Sequence, residues 1–342
     1  MRHLALNLLT VSATVLVLGA LVIPAKRVLD APHLPQPVGA EPAAANRLFG
    51  VYVDPWHLDD WANDVGAGPQ LLAKFEAFST GRPIDSFIAE AERRGVRRLL
   101  VSWEPWKPVP MSLGIAAQFR PQLGYRNADL ASGWQDEYLE RFARSLARFH
   151  GIVYLRYAHE MNGFWYPWSH DSRGYRRAWR HVVTVVRRAG ARNVRMVWSV
   201  NPSLYVPERK WLTRLRSYWP GRRYVDLVGS TVINFGGRKN YSIQRFAPRL
   251  RSLHTLYRSP VMITEANTEY QDRLAWLHAF RQMLRTMPWI KAVAWSQLPS
   301  RGKAHLRTVG NLAWDVRHDP QAATVLRSIV QDGLRRPGRL SR

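Results

Sequence analysis

The 342-residue chain reads as an α/β protein built on a single (β/α)8 TIM barrel, preceded by an N-terminal signal or anchor helix and a linker. Three observations predict this. From residue 48 onward, short runs of buried-strand character alternate with amphipathic helical segments, the pattern of a parallel sheet covered by helices. Beyond the linker, residues 47–332 have room for a barrel, which takes about 250 residues. Polar and aromatic side chains gather just past the strand runs, where barrels keep their active residues.

Residues 1–25 carry Arg2 and His3 and then an apolar run with no polar face, followed by Lys26 and Arg27. That is the pattern of an export signal or membrane anchor, long enough to span a bilayer. Pro24 makes a poor cleavage site, which favours an uncleaved anchor with the remainder outside the cell, secreted or tethered to the outer face of the membrane. The linker, residues 26–46, is rich in Pro, Ala and Gly.

LFGVYV at 48–53 is the first strand, with Asp54 and Trp56 beyond it. Leu71, Leu72, Phe75 and Phe78 predict a helix over 69–78, and Ile84, Phe87, Ile88 and Ala91 give 83–94 helical spacing. A strand at 98–103 leads to Glu104, Pro105 and Trp106; 107–132 reads as a long loop, and 134–149 as an amphipathic helix. Further strands are expected at 152–155, 194–199, 224–232, 261–264 and 290–295, and helices at 173–189, 246–257 and 273–287. A last helix-bearing segment begins at 309, and 333–342 is a basic tail.

The stretch 152–168, IVYLRYAHEMNGFWYPW, concentrates the chemistry. A buried strand runs into Arg156, His159 and Glu160, Asn162-Gly163 turns the chain, and Trp165, Tyr166 and Trp168 follow around Pro167. A carboxyl at a strand tip can donate a proton to a glycosidic oxygen, and flat rings can stack on pyranose faces. The other reading makes Glu160 a helix cap and the aromatics core.

This stretch resembles glycoside hydrolase family 26, the β-mannanases and related endoglycanases, in which the His-Glu pair, the Asn-Gly turn and the Trp-Tyr-Pro-Trp run occur together. The resemblance implies a retaining barrel with a second strand near 83–88. Retaining hydrolysis needs two carboxyl groups about 5–5.5 Å apart. The resemblance assigns Glu160, ending the fourth strand, as acid/base and Glu265, ending the seventh in VMITEAN, as nucleophile. The alternative for Glu265 is a structural pair with an Arg of the wall. His159 is implied to orient the nucleophile or bind a sugar hydroxyl, with a satisfied core histidine as the alternative. Trp165, Trp168 and Trp295 are expected stacking platforms. Trp103, Glu104 and Trp106 would line outer subsites, with a structural salt bridge as the alternative for Glu104, and Asn201 and Asn234 stand at strand ends in the substrate-binding set. One departure is visible. The tyrosine that usually ends the sixth strand and holds the nucleophile falls on Ile233, so another donor must hold Glu265, or Glu265 is not the nucleophile, or the barrel binds glycans without cleaving them.

Composition bounds the remaining possibilities. No cysteine means no disulfide and no thiolate metal site. HExxH, GxSxG, P-loop and dinucleotide motifs are missing, so no cofactor or metal is expected. The net charge is +25, with Arg pairs such as Arg93-Arg94, Arg187-Arg188 and Arg222-Arg223 spread along the chain. It suits either an anionic polymer or membrane surface as partner or simply solvated helix faces. A polysaccharide substrate, no specific nucleic acid and a monomeric state are the expectation.

Overall fold

The computed structural model describes residues 47–109, 117, 119–236, 239–268, 273–297, 316 and 319–334. The signal, the linker, most of the tail and the middle of the loop after residue 107 lie outside the described residues. Among the described residues no helix is long and apolar enough to cross a membrane.

Eight parallel strands close on themselves in sequence order: β1 Leu48–Tyr52, β2 Leu71–Ala77, β3 Arg98–Glu104, β4 Ile152–Tyr157, β5 Val194–Val200, β6 Leu227–Asn234, β7 Val261–Thr268 and β8 Ile290–Trp295. Pairing of Leu48 with Ala292 seals the barrel. Strand alternation then sorts side chains into two layers. Leu48, Tyr52, Leu71, Ala73, Leu100, Tyr154, Val197, Leu227, Met262, Ala292 and Ala294 fill the interior. Their neighbours, such as Phe49, Leu72, Leu99, Val101, Leu155 and Val228, pack outward under the helices.

The predicted helix over 69–78 is instead β2, and the predicted strand near 83–88 belongs to the helix Asp85–Arg93. LLAKFEA satisfies both periods. As a strand it sends Leu71 and Ala73 inward, while Lys74 and Glu76, two apart, pair at 2.9 Å. The strand count is unchanged, so Glu160 still follows the fourth strand and Glu265 lies in the seventh. Two helices that the patterning did not mark, Leu58–Val65 and Glu208–Tyr218, follow β1 and β5, and a short one, Asn127–Ala131, ends the loop after β3. The last helix runs Pro320–Leu334, taking residues 333 and 334 from the expected tail. It docks beside β1, where the Arg47 amide donates to the Gly333 carbonyl at 3.0 Å.

One irregularity in the wall bears on function. Between β6 and β7 the register slips: Ser230 pairs with Ile263, but Thr231 pairs with Glu265. Strict alternation from the inward Met262 would turn Thr264 in and Glu265 out. The bulge leaves both facing the interior. Thr264 Oγ1 bonds Ser199 Oγ at 2.8 Å, and Glu265 Oε1 accepts from Arg156 at 2.6 Å. Gly229 makes room, since a Cβ there would sit 2.7 Å from Thr264 Cγ2.

Candidate active site

Toward the C-terminal end of the barrel the inward side chains change from apolar to polar. Arg156 is the pivot, two residues beyond the inward Tyr154 and fully buried. A guanidinium at 0% exposure has to be paired, and it is. Its Nη1 donates to Glu265 Oε1 at 2.6 Å and to Ser102 Oγ at 3.1 Å, and its Nη2 donates to Thr231 Oγ1 at 3.2 Å. Burial opposes the arginine's charge, but the fields of Glu265, Tyr52 and Glu160 outweigh it, so its pKa stands above the ordinary value. Below it, the Tyr52 hydroxyl donates to the Thr264 carbonyl at 3.0 Å, fastening β1 to the bulge.

Glu160 reaches the same space by a different route. β4 ends at Tyr157, and the chain then passes through two left-handed residues, Ala158 at φ 41° and Glu160 at φ 53°. That conformation is sterically costly for residues with a Cβ. It is held by the Glu160 amide donating to the Ser199 carbonyl at 2.8 Å and by Gly163 donating back to the Glu160 carbonyl at 2.9 Å. The carboxyl accepts three neutral donors. Thr231 Oγ1 at 2.5 Å and Asn201 Nδ2 at 3.1 Å meet Oε1, and Trp165 Nε1 at 3.1 Å meets Oε2. Burial and then the charge of Glu265 push the Glu160 carboxyl above its ordinary pKa, only partly opposed by Arg156, Thr231 and Asn201. Thr231 therefore stands between the two carboxylates' partners, donating to one glutamate and accepting from the arginine that holds the other.

Asn201 is locked in turn. Its amide donates to Asn162 Oδ1 at 2.9 Å, and its carbonyl accepts from Asn162 Nδ2 at 2.8 Å. The Asn-Gly turn is thus tied to the end of β5. Beside this pair sits a second polar cluster. His159 Nε2 meets the Tyr166 hydroxyl at 2.9 Å and lies 3.8 Å from Glu104 Oε1, and Trp106 Nε1 donates to Glu104 Oε2 at 3.3 Å. Burial, then Glu104, Glu160 and Glu265, raise the Tyr166 pKa well above the ordinary tyrosine value, so its hydroxyl keeps its proton.

The structure brings Glu160, Glu265, Asn201 and Trp165 into one constellation, with His159, Glu104 and Trp106 adjacent. It does not bring the other predicted residues to a ligand-accessible position. Trp103 faces outward, 4.5 Å from the Phe142 ring, with no exposure. Trp168 is buried face to face with Tyr166 at 4.2 Å and donates to the His159 carbonyl at 2.8 Å, bracing the loop. Trp295 is fully enclosed, its Nε1 directed to Gln297 Oε1 at 3.2 Å. Asn234 spends its amide on its own loop and on the end of β7, donating to Asn240 and Thr268 and accepting from the Gly236 and Tyr241 amides. Ile233 is buried, and the donor it lacks is supplied to Glu265 by Arg156.

Patterning missed Thr231, Tyr52 and the partly exposed Phe75, which stacks on Tyr52 at 4.8 Å and lies 6.0 Å from the His159 ring. A charged residue inside a buried strand run was the available signal for Arg156.

Residues 137–289 match the model of glycosyl hydrolase family 26. Endoglucanase H of Acetivibrio thermocellus is 26% identical over 174 residues, 49% of this chain and 17% of that protein. Beta-1,3-xylanase TXYA of a Vibrio species is 35% identical over 185 residues, 53% of this chain and 37% of that protein. The chain thus spans well under half the length of these curated relatives. In three dimensions it is similar to the family 26 β-mannanase BoMan26A of Bacteroides ovatus, with a TM-score of 0.61 at 18% identity, covering 84% of this chain and 89% of that one. Residues 137–289, which hold both glutamates, are thus similar to glycosyl hydrolase family 26, in line with the resemblance of the stretch 152–168.

Proposed function

We propose that the protein is an exported retaining glycoside hydrolase that cleaves internal bonds of a β-linked polysaccharide, with Glu265 as nucleophile and Glu160 as acid/base. The observation that carries this reading is the contrast between the two carboxyls in one polar pocket. Glu265 accepts from the buried guanidinium of Arg156 at 2.6 Å, while Glu160 is buried among neutral donors with a raised pKa. Environments that push two carboxyls apart divide the labour between base and acid. In the first step a Glu265 oxygen attacks the anomeric carbon, the glycosidic bond breaks, and Glu160 gives its proton to the departing oxygen. In the second step Glu160 takes a proton from water, which displaces Glu265 and restores both residues. Asn201 and Thr231 hold Glu160, and Trp165 and Tyr166 offer partly exposed rings beside it. The similar proteins carry the names endoglucanase, beta-1,3-xylanase and β-mannanase, which supports a β-linked main chain without selecting its sugar.

Residues 1–25 would direct export or tether the barrel outside the cell, which fractionation of cells expressing the tagged chain tests; recovery in the cytosol alone removes that part. Reducing-end release from a panel of β-mannans, β-glucans and β-xylans tests the activity. Glu160→Ala and Glu265→Ala should each abolish it, and wild-type turnover in either variant refutes the role given. Oligosaccharide binding by calorimetry without any cleavage would instead favour a glycan-binding barrel, the reading that Ile233 motivates.

A further inference from the structure

Arginine pairs are spread along the chain, but acidic residues are not. Residues 163–260 contain twenty Lys and Arg against three acids, Asp171, Glu208 and Asp226, a formal +17 of the chain's +25. Residues 47–109 contain eight against nine. In the fold, the first segment builds β5, β6 and the helices Ser172–Arg188, Glu208–Tyr218 and Ile243–Tyr257, one side of the barrel. Three acids cannot neutralise that side, so its field is positive and reaches the mouth where Glu160 and Glu265 lie.

At the mouth the charge is organised. Arg214, exposed, donates from Nη2 to the Gly163 carbonyl at 2.9 Å, next to Phe164, which is 54% exposed. Arg245, exposed, donates from Nη2 to the Leu204 carbonyl at 2.9 Å, next to Tyr205, which is 58% exposed, and its guanidinium stacks on Tyr241 at 4.7 Å. The same pairing thus occurs twice, on the loops after β4 and β5: a guanidinium pinned to a loop carbonyl beside an outward apolar ring. Arg214 is further held by the Tyr218 hydroxyl and Arg245 by the Tyr241 face, and both arginines remain exposed. An exposed ring beside a fixed fork matches a sugar that has an apolar face and a carboxylate. The ring takes the face and the fork takes the anion.

Building on the proposed glycosidase reading, we propose that this rim binds uronate residues, so that the substrate is an acidic β-linked polysaccharide rather than a neutral one. Its carboxylates lie over the loops after β4 and β5, outside the cleavage point, because Arg156 is already occupied by Glu265.

The test uses one polymer in two forms, a glucuronate-bearing β-xylan and the same polymer after carboxyl reduction. kcat/KM and equilibrium binding are measured for both at low and moderate salt. The wild-type chain should prefer the acidic form, and the preference should shrink with salt. R214Q/R245Q should lower the preference roughly tenfold, the scale of two solvent-exposed charge pairs, and R214K/R245K, which keeps the charge and loses the fork, should recover only part of it. R188Q/R192Q removes the same charge from the opposite end of the barrel and should leave the preference intact. Equal use of the two forms by the wild-type chain, or an equal loss in R188Q/R192Q, overturns the rim proposal while leaving the hydrolase standing. Displacement of the acidic polymer by polyphosphate or by anionic vesicles at equal charge also overturns it, since charge alone would then explain binding. Preferential binding of the acidic form with no cleavage of either supports the rim and sinks the hydrolase reading beneath it.

Discussion

The end of β4 and the middle of β7 deliver the same functional group to the same pocket by opposite means. At β4 the strand stops, and left-handed backbone at Ala158 and Glu160 turns the carboxyl inward among neutral donors. At β7 the strand continues, a register slip turns Glu265 inward, and the partner waiting there is a buried cation. One device surrounds a carboxyl that resists ionisation with neutral donors, the other sets a carboxyl against the buried guanidinium of Arg156. Chemical role in this pocket follows from what each backbone route brings into contact, since the two side chains are identical.

The largest effect that could break this contrast is on turnover. Loss of the Glu265 carboxyl should lower kcat by about 10⁴-fold or more, and loss of the Glu160 carboxyl by about 10²–10⁴-fold, the range of a general acid. Azide should rescue both alanine variants and give glycosyl azides of opposite anomeric configuration, inverted from Glu265→Ala and retained from Glu160→Ala, if the roles differ. Next comes stability, where the two isosteric changes should have opposite signs. Glu265→Gln strands a buried guanidinium and should cost about 3–5 kcal/mol, read from denaturant midpoints. Glu160→Gln should stabilise. Because the folded pKa of Glu160 is raised, the native state resists ionisation while the unfolded chain does not. Native stability is therefore lost as pH rises from the ordinary glutamate value through the raised one. The gain in Glu160→Gln should accordingly be small at low pH and grow across that window. Destabilisation of both variants alike would remove the distinction.

How much of this is legible before folding varies by element for physical reasons. β3 to β8 announce themselves because their runs are buried on both faces, and VRMVWSV at 194–200 has no helical alternative of comparable quality. β2 does not, because Leu71, Leu72 and Phe75 also fit one helical face; only closure of the barrel decides. The two glutamates can be found from their neighbours in sequence. Their environments cannot, because those depend on contacts 109 residues apart for Arg156 and Glu265 and 71 residues apart for Thr231 and Glu160. Strict alternation would have turned Glu265 away from the site, and the bulge that corrects it leaves no mark in VMITEAN. The aromatic stretch shows the converse limit. Trp165 and Trp168 look equivalent in the sequence, yet one carries an N–H to Glu160 and the other is sealed beneath Tyr166.

Thr231 offers a finer test, because it touches both halves of the contrast. Thr231→Val keeps the shape and removes the donor to Glu160 and the acceptor for Arg156. Losing a donor that favours the ionised carboxylate should move Glu160 further up. The alkaline limb of kcat, which reports the acid losing its proton, should then shift to higher pH, with kcat near its optimum down roughly tenfold, the scale of a hydrogen bond to a charged group. Thr231→Ser should return the limb to its original position; a merely structural threonine would lower kcat without moving the limb.

Trp165→Phe is expected to have the smallest effect, and its direction separates two roles of one ring. The indole donates to Glu160 Oε2, the oxygen that Thr231 and Asn201 leave unclaimed. Oε1 already accepts two donors, so in the proposed role the proton that Glu160 transfers sits on Oε2, and the indole N–H then competes with it for the same lone pairs. Replacing the indole by a phenyl ring keeps an apolar face beside the acid and removes the competitor. KM should therefore change little, and the alkaline limb should move up by less than in Thr231→Val, with kcat altered a few-fold at most. If KM instead rises steeply while the pH profile stays fixed, Trp165 acts through sugar stacking alone, and the asymmetry between the two oxygens of Glu160 is not what sets its proton.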